Sequence, residues 1–441
     1  MEDFRAIADQ LSADIAAGRL RPGQRLPPQR RFARERRIAV STAARVYTEL
    51  GRRGLVSGEV GRGTFVRAAA PPVEPALAEP GAARIDLELN FPMLPNQPEM
   101  LARDLDGLQR PDALALALRP VGVSGTEQAR AAAADLLARS GWCPEPGRIL
   151  FAGNGRQAIA AAVAALVPVG GRLGVEALTY PVVKGIAARL GVTLVPLATD
   201  GDGLVPAAVR EARPHAVYVQ PTLHNPLGTT MPAARRSELA DTLRELDVPA
   251  IEDTIYAFLR DEPPLARFAA ERTVLVDSLS KRLAPGLTVG FVVPPARLSE
   301  PIAAALRSGG WAPQGFALAA ATRFLASGTV AAVQHGKRAD AARRQQIVRE
   351  RLDGCTVRAD RGAYHCWWEL PEPWRAETFV AAAARRGIAV SPAGAFAVGS
   401  GIAPNAVRLA LASPPEATLA AALDVLAAMA AGSPDDESAI S

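Results

Sequence analysis

Lysine is what this sequence lacks. Of 50 basic side chains in 441 residues, only Lys184, Lys281 and Lys337 are lysines; the rest are arginines. Arginine keeps its proton in proteins, whereas a desolvated lysine can lose it and attack a carbonyl to form a Schiff base. Lys281 is thus either an ordinary surface charge or a place where arginine will not serve. Cysteine is scarce too. Cys143, Cys355 and Cys366 are odd in number and share no metal-ligand spacing, and the four histidines are scattered. That pattern offers no metal site and fits a reducing cytoplasm. No apolar run is long enough to cross a bilayer, so no membrane partner is expected. The polar start Met1-Glu-Asp-Phe-Arg lacks the basic and apolar regions of a signal peptide. No G-x-G-x-x-G follows a candidate strand and no P-loop is present, which argues against nicotinamide and nucleoside triphosphate chemistry.

What is present divides unevenly. The length exceeds what one hydrophobic core usually supports, so at least two domains are expected. Residues 1–66 hold 13 Arg against seven acidic residues, an excess of +6, while the remainder has 37 basic and 38 acidic residues. A small basic module on a near-neutral body points to an anionic partner for the module, with nucleic acid the leading candidate.

Within the module, Phe4, Ile7, Leu11 and Ile15 recur at helical spacing, with Gly18 as a stop. Pro27 and Pro28 suit the start of a second helix, 29–36, and a third begins near Ser41. The third turns Val46, Tyr47 and Leu50 inward and leaves Ser41, Thr42 and Arg45 to point outward. Residues 55–57 and 63–66 alternate as two short strands. Three helices and a hairpin describe a winged helix-turn-helix, used either for DNA or for protein contacts. Residues 67–85, with four prolines and no apolar period, read as a semi-extended linker.

In residues 86–430, apolar β-branched runs at 172–175, 192–196, 216–219, 249–251, 273–276 and 289–293 alternate with Ala-rich helical stretches. Such runs indicate strands buried on both faces of a mostly parallel sheet, an α/β body whose ligands bind at strand ends. Gly153-Asn-Gly155-Arg156-Gln157 precedes an Ala-rich helix, so it is either a simple turn or a phosphate site at a helix N-terminus. Tyr180 follows a strand, as core residue or as platform for a ligand. Asn225 lies in the turn His224-Asn-Pro-Leu-Gly228. In Ile251-Glu-Asp253-Thr-Ile-Tyr256, Asp253 shares a strand face with Ile251 and can sit inside. A buried carboxylate needs a cationic partner, and a protonated ring nitrogen would serve. The tail 431–441 is polar and expected to be disordered.

These motifs carry two resemblances. Leu26-Pro-Pro-Gln-Arg30, Tyr47-Thr-Glu-Leu50, Gly54-Leu-Val56 and Gly61-Arg-Gly-Thr-Phe-Val66 resemble the DNA-binding domain of GntR regulators. That resemblance implies Ser41, Thr42 and Arg45 in the major groove, with Arg30, Arg62 and Thr64 as further DNA contacts. Ala39 and Val40 depart from it, standing where a Ser-Arg pair is frequent. The body resembles the fold-type I aminotransferases that use pyridoxal 5'-phosphate, a mixed, mostly parallel sheet plus a smaller C-terminal domain. It implies Lys281 as the aldimine residue and Asp253 on the pyridinium nitrogen. Asn225 and Tyr256 would meet the phenolic oxygen, and Tyr180 would stack on the ring. Gly155, Arg156, Gln157, Ser278 and Ser280 would surround the phosphate, and Arg408 would fork an effector carboxylate. Two departures stand out: Thr288 replaces an arginine that usually clamps the phosphate, with Arg282 as a substitute, and Leu227 replaces a frequent threonine.

Joined, the two halves resemble the MocR subfamily of GntR-type regulators. The combination implies a cytoplasmic, head-to-tail homodimer that binds operator DNA. Its body would sense pyridoxal phosphate, or an amine or amino acid effector, through an aldimine at Lys281. The alternative is a catalytically active aminotransferase with a fused DNA-binding module.

Overall fold

The computed structural model describes residues 4–17, 19–21, 24–53, 55–59, 63–66, 83–399 and 403–434. The expected linker up to residue 82 and the tail from residue 435 fall outside them.

The N-terminal module has helices Phe4–Ala16, Gln29–Arg36 and Val40–Arg52, followed by strands β1 (Val56–Glu59) and β2 (Gly63–Val66). The two strands pair antiparallel, with Val56 opposite Val66. The periodic residues Ile7, Leu11, Phe32, Val46, Leu50 and Val66 form one buried core. Tyr47 meets Phe32 edge-on at 5.4 Å and donates its hydroxyl to the Pro27 carbonyl, tying the third helix to the proline turn.

The chain enters the body through β3 (Ile85–Leu87), one residue ahead of the boundary read from the sequence. A large sheet follows, made of β4 (Leu150–Ala152), β5 (Arg172–Glu176), β6 (Thr193–Leu197), β7 (Ala216–Val219), β8 (Ala250–Asp253), β9 (Thr273–Ser278) and β10 (Gly290–Val293). Its spatial order is β4-β10-β9-β8-β7-β5-β6, and β10 alone runs against the others. Every residue of β7, β8 and β9 is buried, as expected for strands covered on both faces.

The C-terminal domain adds β11 (Val357–Ala359), β12 (His365–Glu369), β13 (Ile388–Pro392) and β14 (Ala406–Ala410). They pair as β11-β12-β14-β13, and β3 closes the edge parallel to β13. Trp368 and Trp374 pack edge-on against Phe379 at 5.5 and 5.2 Å in the core beneath this sheet. The long helix Thr329–Arg351 connects the two parts of the body. The N-terminal module touches the C-terminal domain through Asp9, which pairs with Arg53 of its own module at 2.8 Å and with Arg375 at 3.1 Å. Among the described residues, no single helix is long and apolar enough to cross a membrane.

Candidate functional site

The carboxyl ends of β8 and β9 open into a cavity of about 440 Å³. At its floor lies Asp253, 4% exposed. One carboxylate oxygen accepts from the Tyr218 hydroxyl at 2.6 Å and from Gln220 Nε2 at 2.9 Å, and the other accepts from the Ile255 amide at 3.0 Å. Burial raises its pKa to about 6, opposed by these three donors. No cation lies within ion-pair distance of Asp253 among the described residues. A buried carboxylate held only by neutral donors leaves room for a positive group from a ligand.

Lys281 sits in the single helical turn Leu279–Arg282 that follows β9. Its Nζ enters the same cavity, donates to the Asn90 carbonyl and lies 4.1 Å from the centre of the Phe91 ring. Burial, then the cations Arg408, Arg156 and Lys337, push its pKa down to about 7. A substantial fraction of an amine with that pKa is neutral, and therefore nucleophilic, at pH 7. Tyr180, Asn225 and Tyr256 line the cavity as well. Asn90 Nδ2 donates to the Tyr256 hydroxyl at 3.4 Å, and burial raises the Tyr256 phenol to about 12.

Arg408, at the centre of β14, lines the same cavity. Its Nη2 donates to Ser391 Oγ at 2.9 Å and its Nη1 to Asn225 Oδ1 at 3.4 Å, while the guanidinium lies 5.1 Å from the Phe396 ring centre. Its Nε is buried without a partner, and no carboxylate is within ion-pair distance among the described residues. A guanidinium so placed retains donors for an incoming carboxylate.

The remaining end of the cavity is built at the start of the helix Gly155–Leu166. Asn154 caps that helix by accepting from the Gln157 amide at 2.9 Å. Gly155 faces Ser278: a Cβ at this position would lie 3.0 Å from Ser278 Oγ and would crowd that side chain. Ser280 Oγ and Thr288 Oγ1 are 2.7 Å apart on the same wall, and Arg156 lines it. Hydroxyls, a helix N-terminus and one guanidinium make a suitable cradle for an anion.

Two residues proposed from sequence are placed elsewhere. Arg282 points beneath the site, where it forms a buried ion pair with Asp277 at 2.6 Å and donates to Gln334. Asp277 needs that cation because it is itself 1% exposed, so Arg282 does not substitute for the arginine missing at Thr288. Gln157 contributes its backbone amide to the Asn154 cap, and its side chain turns back against Gly153 instead of lining the cavity.

In the N-terminal module, Arg30, Ser41 and Arg45 are exposed, and Thr42 and Thr64 are half-buried. Arg45 lies 4.1 Å from the centre of the Phe4 ring. Arg62 falls outside the described residues.

Comparison with known proteins agrees with both halves. The gntR family of bacterial regulatory proteins matches residues 4–66, and the aminotransferase class I and II family matches residues 120–426. The uncharacterized HTH-type transcriptional regulator YdeF of Bacillus subtilis is 31% identical over 93% of this chain and 90% of its own. The chain belongs to the GntR-type transcriptional regulators that carry an aminotransferase domain, the MocR type. This regulator is also 27% identical to the pyridoxine biosynthesis transcriptional regulator PdxR of Corynebacterium glutamicum, over 94% of this chain and 92% of that one. Its body has the fold of an archaeal alanine:glyoxylate aminotransferase, at 20% identity and a TM-score of 0.72, covering 87% of this chain and 99% of that one. It is likewise similar to N-succinyldiaminopimelate aminotransferase of Mycobacterium tuberculosis, at 26% identity and a TM-score of 0.67, over 77% and 93% of the two chains.

The regulator's site includes residues that sequence reading did not single out. Tyr218 and Gln220 hold Asp253, and the segment Glu88 to Phe91 walls the cavity beside Lys281. Tyr218 carried a usable signal, since it lies in the apolar run 216–219 and carries the hydroxyl a buried neighbour requires. The segment from Glu88 carried none, because it reaches Lys281 only across 190 residues of chain.

Proposed function

We propose that the body of this regulator holds pyridoxal 5'-phosphate on Lys281 and that cofactor or an amino compound alters DNA binding through it. When bound, the cofactor supplies an aldehyde that an amine joins with loss of water, and a ring nitrogen that takes a proton. The observation that carries this reading is the Asp253 carboxylate, held by neutral donors with no paired cation among the described residues, in a cavity that also contains a lysine with a pKa near 7. Asp253 would hold the ring-nitrogen proton, keeping the ring electron-poor. Tyr180 would cover the ring, and Asn225 and Tyr256 would meet its oxygen. Gly155, Arg156, Ser278 and Ser280 would receive the phosphate, and the backbone amide of Gln157 would cap beneath it. Arg408 would orient an effector carboxylate.

In the N-terminal module, Arg30, Ser41, Thr42, Arg45, Arg62 and Thr64 would meet operator DNA. An effector changes DNA affinity only to the extent that it binds two conformations differently. The Asp9–Arg375 pair supplies a contact between the DNA-reading module and the domain that carries Arg408. A cytoplasmic homodimer would present two such modules to one operator. The relative named for pyridoxine biosynthesis favours pyridoxal phosphate itself as one signal.

The second reading is catalytic turnover, favoured by the presence of Lys281, Asp253 and Arg408 in one cavity. Incubation with a panel of amino acids, followed by assay for ketoacid and pyridoxamine phosphate, separates the two. The regulatory reading is tested by selecting DNA from a random pool with and without pyridoxal phosphate, then measuring affinity for the selected sequence. Wild-type protein should change affinity on addition of cofactor or amine, and Lys281→Ala should not. Equal affinity and equal response in the two proteins would reject the coupling.

A further inference from the structure

Lys337 is the second buried lysine near the cavity, and it takes no part in the site described above. It lies on the long helix Thr329–Arg351 and is fully buried. Its Nζ donates to the Lys281 carbonyl at 2.9 Å and to the Leu283 carbonyl at 2.6 Å. Gln97 Nε2 donates to that second carbonyl at 3.0 Å. A helical turn leaves its last carbonyls without internal partners, and here a buried amine meets two of them. We propose that Lys337 is a positioning residue for Lys281, fixing the carbonyls on either side of Arg282 so that the Lys281 side chain projects into the cavity. This rests on reading Lys281 as the attachment point of the cofactor.

The choice of lysine is informative in a chain that otherwise writes arginine. No carboxylate pairs with Lys337 among the described residues, because Asp340, one turn along, is engaged by Arg344 at 2.8 Å and by Arg343 at 3.4 Å. An ammonium so buried is costly, and a lysine can relieve the cost by releasing a proton while keeping two N–H donors for two carbonyls. Arginine can neither lose its proton nor present donors from so compact a head. Burial lowers Lys337 to about 7, with Asp340 acting in the opposite direction.

Its charge also bears on Lys281. Around Lys281 stand the cations Arg408, Arg156 and Lys337, the paired Asp277, the acids Asp253 and Glu88, and the phenols Tyr180 and Tyr256. Each cation disfavours a proton on Lys281, and Lys337 is the one that also grips its backbone.

The test uses full-length protein mixed with pyridoxal 5'-phosphate, following the visible absorbance of attached cofactor across pH. Lys337→Met removes both donors and the charge, and Lys337→Gln keeps a donor without the charge. Folding of each is checked by circular dichroism. Attachment at pH 7 should slow about twofold in Lys337→Met, the effect of roughly half a pKa unit on the neutral fraction of an amine near pKa 7, and the pH midpoint should move upward. Lys337→Gln should recover the rate in part and keep the shifted midpoint, and it carries the test if the Met variant does not fold. A lower melting temperature with wild-type rate and midpoint would overturn the proposal. If the wild type itself shows no visible band, cofactor attachment at Lys281 fails, and this role for Lys337 falls with it. A normal wild-type band with unchanged variants overturns this inference alone.

Discussion

The two ends of the cavity are built differently. At the Asp253 end, Tyr218 of β7 and Gln220 just beyond it converge on the carboxylate at the end of β8, and all three side chains are buried. At the Thr288 end, the walls are two hydroxyls, a glycine and a helix start, and the guanidinium of Arg156 is exposed. The first end is preorganised to meet a positive group on a ring, whereas the second would offer an anion one arginine, Arg156, among the described residues. A protein made this way would commit to the electronics of its ligand and would release that ligand more easily. Such release would suit the sensing role proposed above.

The largest effect that bears on this contrast is expected at Lys281. Lys281→Ala should abolish borohydride-stable attachment of pyridoxal phosphate, read by intact mass, while leaving the Asp253 end in place. Next, Arg282→Met should strip Asp277 of its cation and cost about 3–5 kcal/mol of stability, as for other broken buried ion pairs, measured by urea unfolding. A loss below 1 kcal/mol would mean that the floor of the site is less preorganised than the geometry implies. Asp253→Asn removes one charge-assisted bond to the ring and should weaken cofactor binding about 10- to 100-fold by equilibrium dialysis. Thr288→Arg works in the opposite sense. A restored phosphate clamp should slow cofactor loss about tenfold, the value of one such bond. No change would show that Arg156 already saturates that end.

The smallest effect concerns pH. Lys281 and Lys337 sit near pKa 7 when folded, against about 10.4 in an unfolded chain, so above pH 7 the unfolded state binds more protons. The stability of cofactor-free protein should therefore rise between about pH 7 and about pH 8, below the range where cysteine thiols ionise. Their burial costs most below pH 7, where both would carry their charge inside the folded protein. Melting temperatures of wild type and Lys337→Met across that window check the sign, and the variant should show the shallower slope.

Much of this was legible in the sequence. Six of the seven strands of the large sheet, all but β4, could be placed to within one or two residues, the inner ones because strands buried on both faces must be written as continuous apolar runs. Lys281, Asp253, Asn225, Tyr180 and Arg408 converge as the motif order implied. The direction of Arg282 was not legible, since adjacent positions in one helical turn point to opposite sides and only packing decides which faces the cavity. The C-terminal sheet was equally hidden beyond β14, for β3 joins it from more than 300 residues away. The role of Lys337 depends on a helix crossing behind the Lys281 turn, a relation that no local pattern encodes.

The scarcity of lysine makes the central claim unusually direct to test. Pyridoxal phosphate is added to the full-length protein, reduced with borohydride, and the labelled residue is identified by peptide mass mapping. With only Lys184, Lys281 and Lys337 available, the account predicts the label on Lys281 alone. Label on Lys184 or Lys337, or none at all in folded protein, would contradict it.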